Sequence, residues 1–144
     1  MSYEEYQQSQ ILGHCWSIYL LLTDNFPIPE DFHAQYAVWI ESALISGILL
    51  ISLQIAESYQ IHIREEYKFF KDNLEISRYS YTLVGADNQA VFRADSLPHH
   101  SADYKGQPLT HSPHHIHDNQ GRICSFTGSL QDFIGEASNL ILHV

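Results

Sequence analysis

The sequence contains few cysteines, no long apolar run and, over its first 63 residues, no positive charge. Cys15 and Cys124 are the two cysteines among 144 residues, and they are far apart, without the Cys-x-x-Cys spacing of zinc or redox sites. We therefore predict buried free thiols and a reducing compartment. The most apolar segment, residues 43–56, is interrupted by serine and glutamine and is shorter than the roughly 20 residues of a membrane-spanning helix.

The N-terminus also lacks the features of a secretory signal. Acidic residues follow closely on Met1, no positive charge precedes them, and the apolar run Ile18 to Leu22 is too short for the core of a signal. We therefore expect a cytoplasmic protein with no membrane partner. With 44% apolar residues, the chain can fill one core without disulfides or metal, so a single domain over residues 1–144 is predicted.

The missing positive charge bears on nucleic-acid binding. The formal net charge is −10, which argues against such binding, because phosphate contacts depend on lysine and arginine. However, all seven bases lie between Arg64 and Arg122, together with eight acids and six of the ten histidines. Partial histidine protonation near or below neutral pH would make this span positive.

Helices are predicted at both ends of the chain. Ser2 and Glu5 form a capping-box pattern, and the apolar residues that follow recur at helical spacing, which predicts a helix and loop over residues 1–30. Apolar residues on one stripe after Ser129 predict a second helix, preceded by a short strand, within residues 122–144.

Alternating side chains predict antiparallel strands over residues 34–95. Tyr79 and Tyr81 alternate up to a glycine-containing turn, after which the chain returns as the second strand of a hairpin. Because side chains alternate across a strand, Arg93 and Asp95 should emerge on the same face. The predicted fold is α+β: an antiparallel sheet of about five or six strands with an N-terminal and a C-terminal helix.

Two features of these strands allow more than one interpretation. Tyr79 and Tyr81 could stack on bases, as aromatic side chains do in RNA-binding sheets, but we favour packing, the more frequent role of alternating tyrosines. Glu65 and Glu66 could supply a carboxylate near the functional site, or they could form a solvated strand end.

Residues 96–121 are predicted to form a histidine-rich loop, and long loops of this kind are commonly functional or disordered. Pro-His-His occurs twice in this segment, and the second copy is followed by Ile116 and a fifth histidine. Proline restricts its own backbone and that of the preceding residue, so each pair is presented at a defined angle. The clustered histidines are His99, His100, His114, His115 and His117.

These five histidines, with Arg93 and Asp95, fit the requirements of metal-independent RNA cleavage. Imidazole titrates near neutral pH, so one histidine can take a proton from a ribose 2′-hydroxyl while another protonates the leaving 5′-oxygen. Arg93 would contact the phosphate in a bidentate manner, and Asp95 would orient one imidazole. This chemistry needs no cofactor.

A divalent transition metal is the alternative. His115-x-His117 and His111-x-x-His114 are workable ligand spacings, and Asp95 could add an oxygen ligand. The chain would then be a non-catalytic metal-binding or protein-interaction module. In a third interpretation, the histidines have no function and are solvated loop residues or hydrogen-bonded core residues. This is the default for any single histidine, but it is a weaker explanation for five histidines in paired clusters. No role is assigned to the isolated histidines His14, His33, His62 and His143.

Five short segments between residues 60 and 142 form a combined pattern. They are Ile63-Arg-Glu-Glu-Tyr67, Tyr79-Ser-Tyr81, Phe92-Arg-Ala-Asp95, Pro98-His-His100 and Pro113-His-His-Ile-His117. The pattern resembles that of the TumE family, small prokaryotic proteins that form the toxin half of toxin–antitoxin pairs. The double Pro-His-His is the specific part of this resemblance.

The resemblance implies a toxin that acts on RNA and is held in check by a cognate antitoxin, a helix-turn-helix protein. Two positions depart from the family pattern: Ser96 replaces Asn, and Ile116 replaces Lys. Serine keeps a hydrogen-bonding group, whereas loss of the lysine would weaken a phosphate contact. The sequence leaves the oligomeric state open.

Overall fold

The computed structural model describes residues 2–26, 34–41, 44–56 and 58–142. The elements in chain order are α1 (Tyr3–Asn25), β1 (Ala34–Glu41), β2 (Leu44–Ala56), β3 (Tyr59–Phe70), β4 (Asn73–Val84), a 3-10 turn (Ala86–Asn88), β5 (Ala90–Asp95), β6 (His115–His117), β7 (Ile123–Ser125) and α2 (Leu130–Leu142). The α+β prediction, an antiparallel sheet with a helix at each end of the chain, is confirmed.

The seven strands of the described residues form one sheet in sequence order, and each neighbouring pair is antiparallel. About five or six strands were expected. The additional strand is β6, which lies within the segment predicted as loop and pairs with β5 on one side and β7 on the other. Three residues are too few for an alternating pattern to reveal a strand, so the loop assignment of residues 96–121 is corrected here.

Capping interactions define the start of both helices. Ser2 Oγ accepts from the backbone N–H of Glu5 at 3.1 Å, and the Glu5 carboxylate accepts from the backbone N–H of Ser2 at 3.1 Å, which confirms the capping box of α1. At α2, the Ser129 hydroxyl accepts from the backbone N–H of Asp132 at 3.3 Å. Pro27 and Pro29, which the sequence predicts to end the first helix because proline cannot continue it, lie outside the described residues. Neither described helix combines the length and apolar character needed to cross a membrane.

The helices pack on one side of the sheet, which we call the helix face. Phe133 of α2 contacts Tyr81 and Phe92 there, at ring-centroid distances of 5.6 Å and 5.1 Å. Tyr79 and Tyr81 are both buried in this core, so packing, the favoured interpretation of these tyrosines, is confirmed. Both cysteines are free but only half-buried, which corrects the expectation of fully buried thiols.

We call the other side of the sheet the open face; from β3 to β6 it is largely polar, whereas β2 places the exposed Leu50 beside Arg64 on it. Side chains of this face occupy the strand positions between the buried ones, and the register brings them side by side across β3 to β6. They are His62, Arg64 and Glu66 on β3, Arg78, Ser80 and Thr82 on β4, Arg93 and Asp95 on β5, and His115 and His117 on β6.

Candidate functional site

Four histidines meet at the edge of the open face. One ring nitrogen of each of His99, His100, His115 and His117 lies within 4.8 Å of those of the other three, and we call this group the histidine cluster. Ring centroids are 4.1 Å apart for His99 and His100 and 5.6 Å apart for His100 and His117. Residues from both Pro-His-His segments therefore converge, as a shared chemical role requires.

Strand register places the predicted charged residues beside this cluster. Arg93 is the direct partner of His117 across β5 and β6, and Asp95 is the direct partner of His115. The Arg93 Nε atom lies 3.4 Å from Asp95 Oδ2. The arginine side chain is 45% exposed while that of the aspartate is only 3% exposed, so a solvent-facing cation stands beside a buried carboxylate.

His115 is fully buried at the base of the cluster. Its Nδ1 lies 3.0 Å from the carbonyl oxygen of Pro113, which can only accept, so Nδ1 carries a hydrogen. The opposite nitrogen, Nε2, lies 3.3 Å from Asp95 Oδ1, but it makes no hydrogen bond within the described residues. A ring nitrogen and a carboxylate oxygen that face each other in this way are both potential ligands of a metal ion.

Two other members of the cluster favour the neutral state. Burial lowers the pKa of His117, and the neighbouring Arg93 guanidinium lowers it further. Burial also lowers the pKa of His100, with a further contribution from the positive charge that His99 can carry. Neutral imidazoles of this kind can accept a proton or ligate a metal. The Nε2 atom of His117 is buried and has no hydrogen-bond partner among the described residues.

His114, which we included in the acid–base set, lies apart from the cluster. Because it precedes β6 directly, its side chain points to the opposite side from that of His115. Its Nδ1 lies 2.8 Å from the Tyr79 hydroxyl, and the two rings stack at a centroid distance of 5.6 Å. Burial raises the pKa of Tyr79, so the hydroxyl keeps its proton and donates it to His114. Among the described residues, the group of side chains that could hold a metal ion likewise includes neither His111 nor His114.

Gly128 is closely packed against the His114 ring, which leads to a stability prediction. Its φ is +88°, and a Cβ there would lie 2.8 Å from His114 Cε1 and Nδ1. We expect Gly128→Ala to destabilise the protein by about 2 kcal/mol, from backbone strain and displacement of this ring. Chemical denaturation measures the change, with Gly135→Ala as the control because no atom lies within 4 Å of a Cβ at that position. Equal stabilities for the two variants would contradict the packing described.

The two departures from the family pattern have different structural consequences. The Ser96 hydroxyl accepts from the backbone N–H of Tyr79 at 3.1 Å, so serine retains a hydrogen bond at this position. Ile116 is half-buried and packs against the core. Because it alternates with His115 and His117, its side chain lies on the helix face. Position 116 is therefore not next to the histidine cluster, which removes the physical basis for a phosphate contact there.

A buried polar contact between α1 and the sheet was missed at the sequence level. Glu65 is 2% exposed; its Oε2 accepts from the Tyr81 hydroxyl at 2.7 Å, and its Oε1 lies 2.7 Å from His14 Nε2. The interpretation of Glu65 as part of a solvated strand end was therefore wrong. The sequence parity of Glu65 with Ile61 and Ile63, both buried, is the signal that could have identified it.

Comparison with known proteins agrees with the resemblance noted in the sequence. Residues 31–141 match the family model described as Toxin TumE. No curated protein and no solved structure matches the chain significantly. The matched span includes all seven strands and the whole histidine cluster, whereas α1 precedes it. The chain therefore belongs to the TumE family and is the toxin of a toxin–antitoxin system.

Proposed function

We propose that the chain is an endoribonuclease whose active centre is the histidine cluster with Arg93 and Asp95. The observation that carries this proposal is the convergence of four imidazoles within 4.8 Å beside an exposed guanidinium. RNA cleavage through the 2′-hydroxyl needs a base, an acid and a cation near the phosphate. The histidine cluster and Arg93 together contain a side chain suited to each of these three roles.

The proposed reaction uses the accessible members of the cluster. Neutral His117 takes the proton of the 2′-hydroxyl, the 2′-oxygen bonds to phosphorus, and the bond from phosphorus to the 5′-oxygen breaks. His99, which is exposed, donates a proton to the leaving 5′-oxygen. Arg93 stabilises the charge that develops on the non-bridging phosphate oxygens. The products carry a 2′,3′-cyclic phosphate and a 5′-hydroxyl.

Asp95 and His115 support this reaction without touching RNA. Both side chains are almost completely inaccessible, so they act as positioning residues. Asp95 accepts a hydrogen bond from the Leu97 backbone N–H at 3.0 Å, which holds the carboxylate in place. From there it orients the Arg93 guanidinium and faces His115, whose ring supports His99 and His100 at centroid distances of 5.0 Å.

We expect purified protein to cleave single-stranded RNA in the presence of excess chelator, because imidazoles supply both proton transfers. The measurement is end-group analysis of the products, which should carry 2′,3′-cyclic phosphate and 5′-hydroxyl ends. The matched control substrate has 2′-deoxyribose at the cleaved position and should remain intact. Products with 5′-phosphate ends, or activity that is lost on chelation, would rule out the proposed mechanism.

A second candidate function is favoured by the unpartnered nitrogens of His115 and His117. Two buried Nε2 atoms that have no hydrogen bond within the described residues, together with the other two imidazoles of the cluster, form a donor set suited to a divalent transition metal such as Zn²⁺. The Pro113 carbonyl orients the His115 ring in the way that outer hydrogen bonds orient metal ligands. In this case the cluster is a non-catalytic metal-binding or interaction site. Stoichiometric metal in the purified protein, with no RNA cleavage, distinguishes it.

For the antitoxin, we propose a helix-turn-helix protein, on the basis of the family resemblance. We also propose that the pair acts in the cytoplasm, where RNA and a reducing environment are both present. Growth arrest on expression of the toxin alone, relieved by co-expression of the antitoxin, tests this assignment.

A further inference from the structure

The open face concentrates positive charge in an otherwise acidic protein. Arg64, Arg78 and Arg93 project from it, and their side chains are 46%, 55% and 45% exposed. Glu66 lies between the first two, 3.6 Å from Arg64 and 3.7 Å from Arg78. One carboxylate thus faces two guanidinium groups, so this part of the face keeps a net positive charge.

The helix side of the molecule has the opposite character. Neither α1 nor α2 contains a lysine or arginine, whereas both contain acidic residues, among them Glu4 and Glu5 in the first and Asp132 in the second. A polyanion is therefore repelled from the helices and attracted to the open face. Two cavities of about 490 Å³ beside α2 are lined by acidic side chains, among them Glu136, and by apolar and uncharged polar side chains, with no lysine or arginine, which makes them unsuitable for a phosphate backbone.

Strand register links the arginines to the histidine cluster in two parallel rows. The first row runs across β3, β4, β5 and β6 through Arg64, Ser80, Asp95 and His115. The second runs through His62, Thr82, Arg93 and His117. Three steps of about 4.8 Å separate the backbone of β3 from that of β6, roughly 14 Å in total. A short single-stranded segment can span this distance.

We propose that single-stranded RNA crosses the open face from β3 to β6, with a phosphate away from the cleavage point held by Arg64 and Arg78. This inference rests on the proposed ribonuclease function and adds the path and strandedness of the substrate. The scissile phosphate lies at Arg93, and the Ser80 and Thr82 hydroxyls face the backbone between the two positions. A single strand is required because His117 is half-buried, and an unpaired, unstacked nucleotide can bring its 2′-hydroxyl to that imidazole.

The test compares long and short substrates in the variant R64Q/R78Q. For an octanucleotide, a site size typical of single-strand binders, we expect KM to rise about 10-fold with kcat within about twofold. For a dinucleotide that carries only the cleaved bond, neither constant should change. K105Q removes a charge from an exposed loop residue outside the open face and is the matched control. A general structural defect would affect both substrates alike.

Binding supplies a second measurement that does not depend on cleavage. For an uncleavable 2′-O-methyl octanucleotide, R64Q/R78Q should bind about 10-fold more weakly, and the slope of log K against log salt should fall by ~1.4 for two lost phosphate contacts. E66Q should bind more tightly than wild type, since it removes the competing carboxylate.

The outcomes separate the two proposals. Wild-type protein that binds the octanucleotide through Arg64 and Arg78 but cleaves no RNA would overturn the ribonuclease function and leave the binding path intact. Wild-type cleavage with unchanged octanucleotide KM and affinity in R64Q/R78Q would overturn the path alone. Equal losses for dinucleotide and octanucleotide would overturn it as well.

Discussion

Replacing His117 by alanine should lower the rate of RNA cleavage by about 10²-fold or more, the usual contribution of a positioned general base. His117 is the half-buried imidazole directly opposite Arg93, so it is next to the cation that holds the phosphate. Its lowered pKa, caused first by burial and then by Arg93, keeps it unprotonated at neutral pH. The loss should appear in kcat, measured on a fluorogenic oligonucleotide.

His111→Ala is the matched control for this variant. His111 is an exposed histidine from the same proline-rich segment, but it does not belong to the histidine cluster, so its replacement should leave the rate unchanged. In cells, expression of the His117 variant without antitoxin should no longer arrest growth, whereas the His111 variant should. Full cleavage by a folded His117→Ala protein would refute the proposed catalytic base.

Asp95→Asn should lower kcat by about 10- to 100-fold, the range found when a group that orients catalytic or metal-binding imidazoles is replaced. Asparagine has nearly the same shape and can still accept the hydrogen bond from the Leu97 N–H. Its neutral amide cannot form the ion pair with Arg93 or present a charged oxygen to His115. The variant should therefore fold normally, with KM close to that of wild type.

The control for this prediction is Asp118→Asn. Asp118 pairs with Arg122 at 2.8 Å, outside the histidine cluster, so it tests loss of an ion pair that has no part in positioning the imidazoles. Its kcat should match that of the wild type. A change in KM alone in Asp95→Asn would mean that the carboxylate affects substrate binding and does not position the imidazoles.

The type of each long element was predictable because local periodicity reports local structure. The capping box of Ser2 and Glu5 and the hairpin ending in β5 were both confirmed. The same alternation placed Arg93 and Asp95 on one face, and their charged atoms are 3.4 Å apart. The alternation also indicated that Glu65 is buried, since it follows Ile61 and Ile63 on the same side of β3. The two adjacent glutamates nevertheless suggested a solvated strand end. Neighbouring residues on a strand point to opposite faces of the sheet, so the chemical similarity of Glu65 and Glu66 was misleading.

The composition of the histidine cluster depended on long-range pairing. The repeated Pro-His-His indicated that histidines from two segments act together, but it gave no reason to distinguish His114 from His115. The short strand β6 sends His115 to the open face and His114 to Tyr79 on the other side. The fourth member, His117, comes from two residues further along the same strand.

By itself, the sequence determined the α+β class, the kinship with TumE toxins and the residue types available for chemistry, since these depend on local spacing and on which side chains are present. Only the tertiary structure decided which histidines share a site, because sheet register brings together residues that are distant along the chain. It also decided that the exposed arginines share a face with those histidines. Neighbouring strands align their alternating side chains in space, and no local pattern contains that alignment.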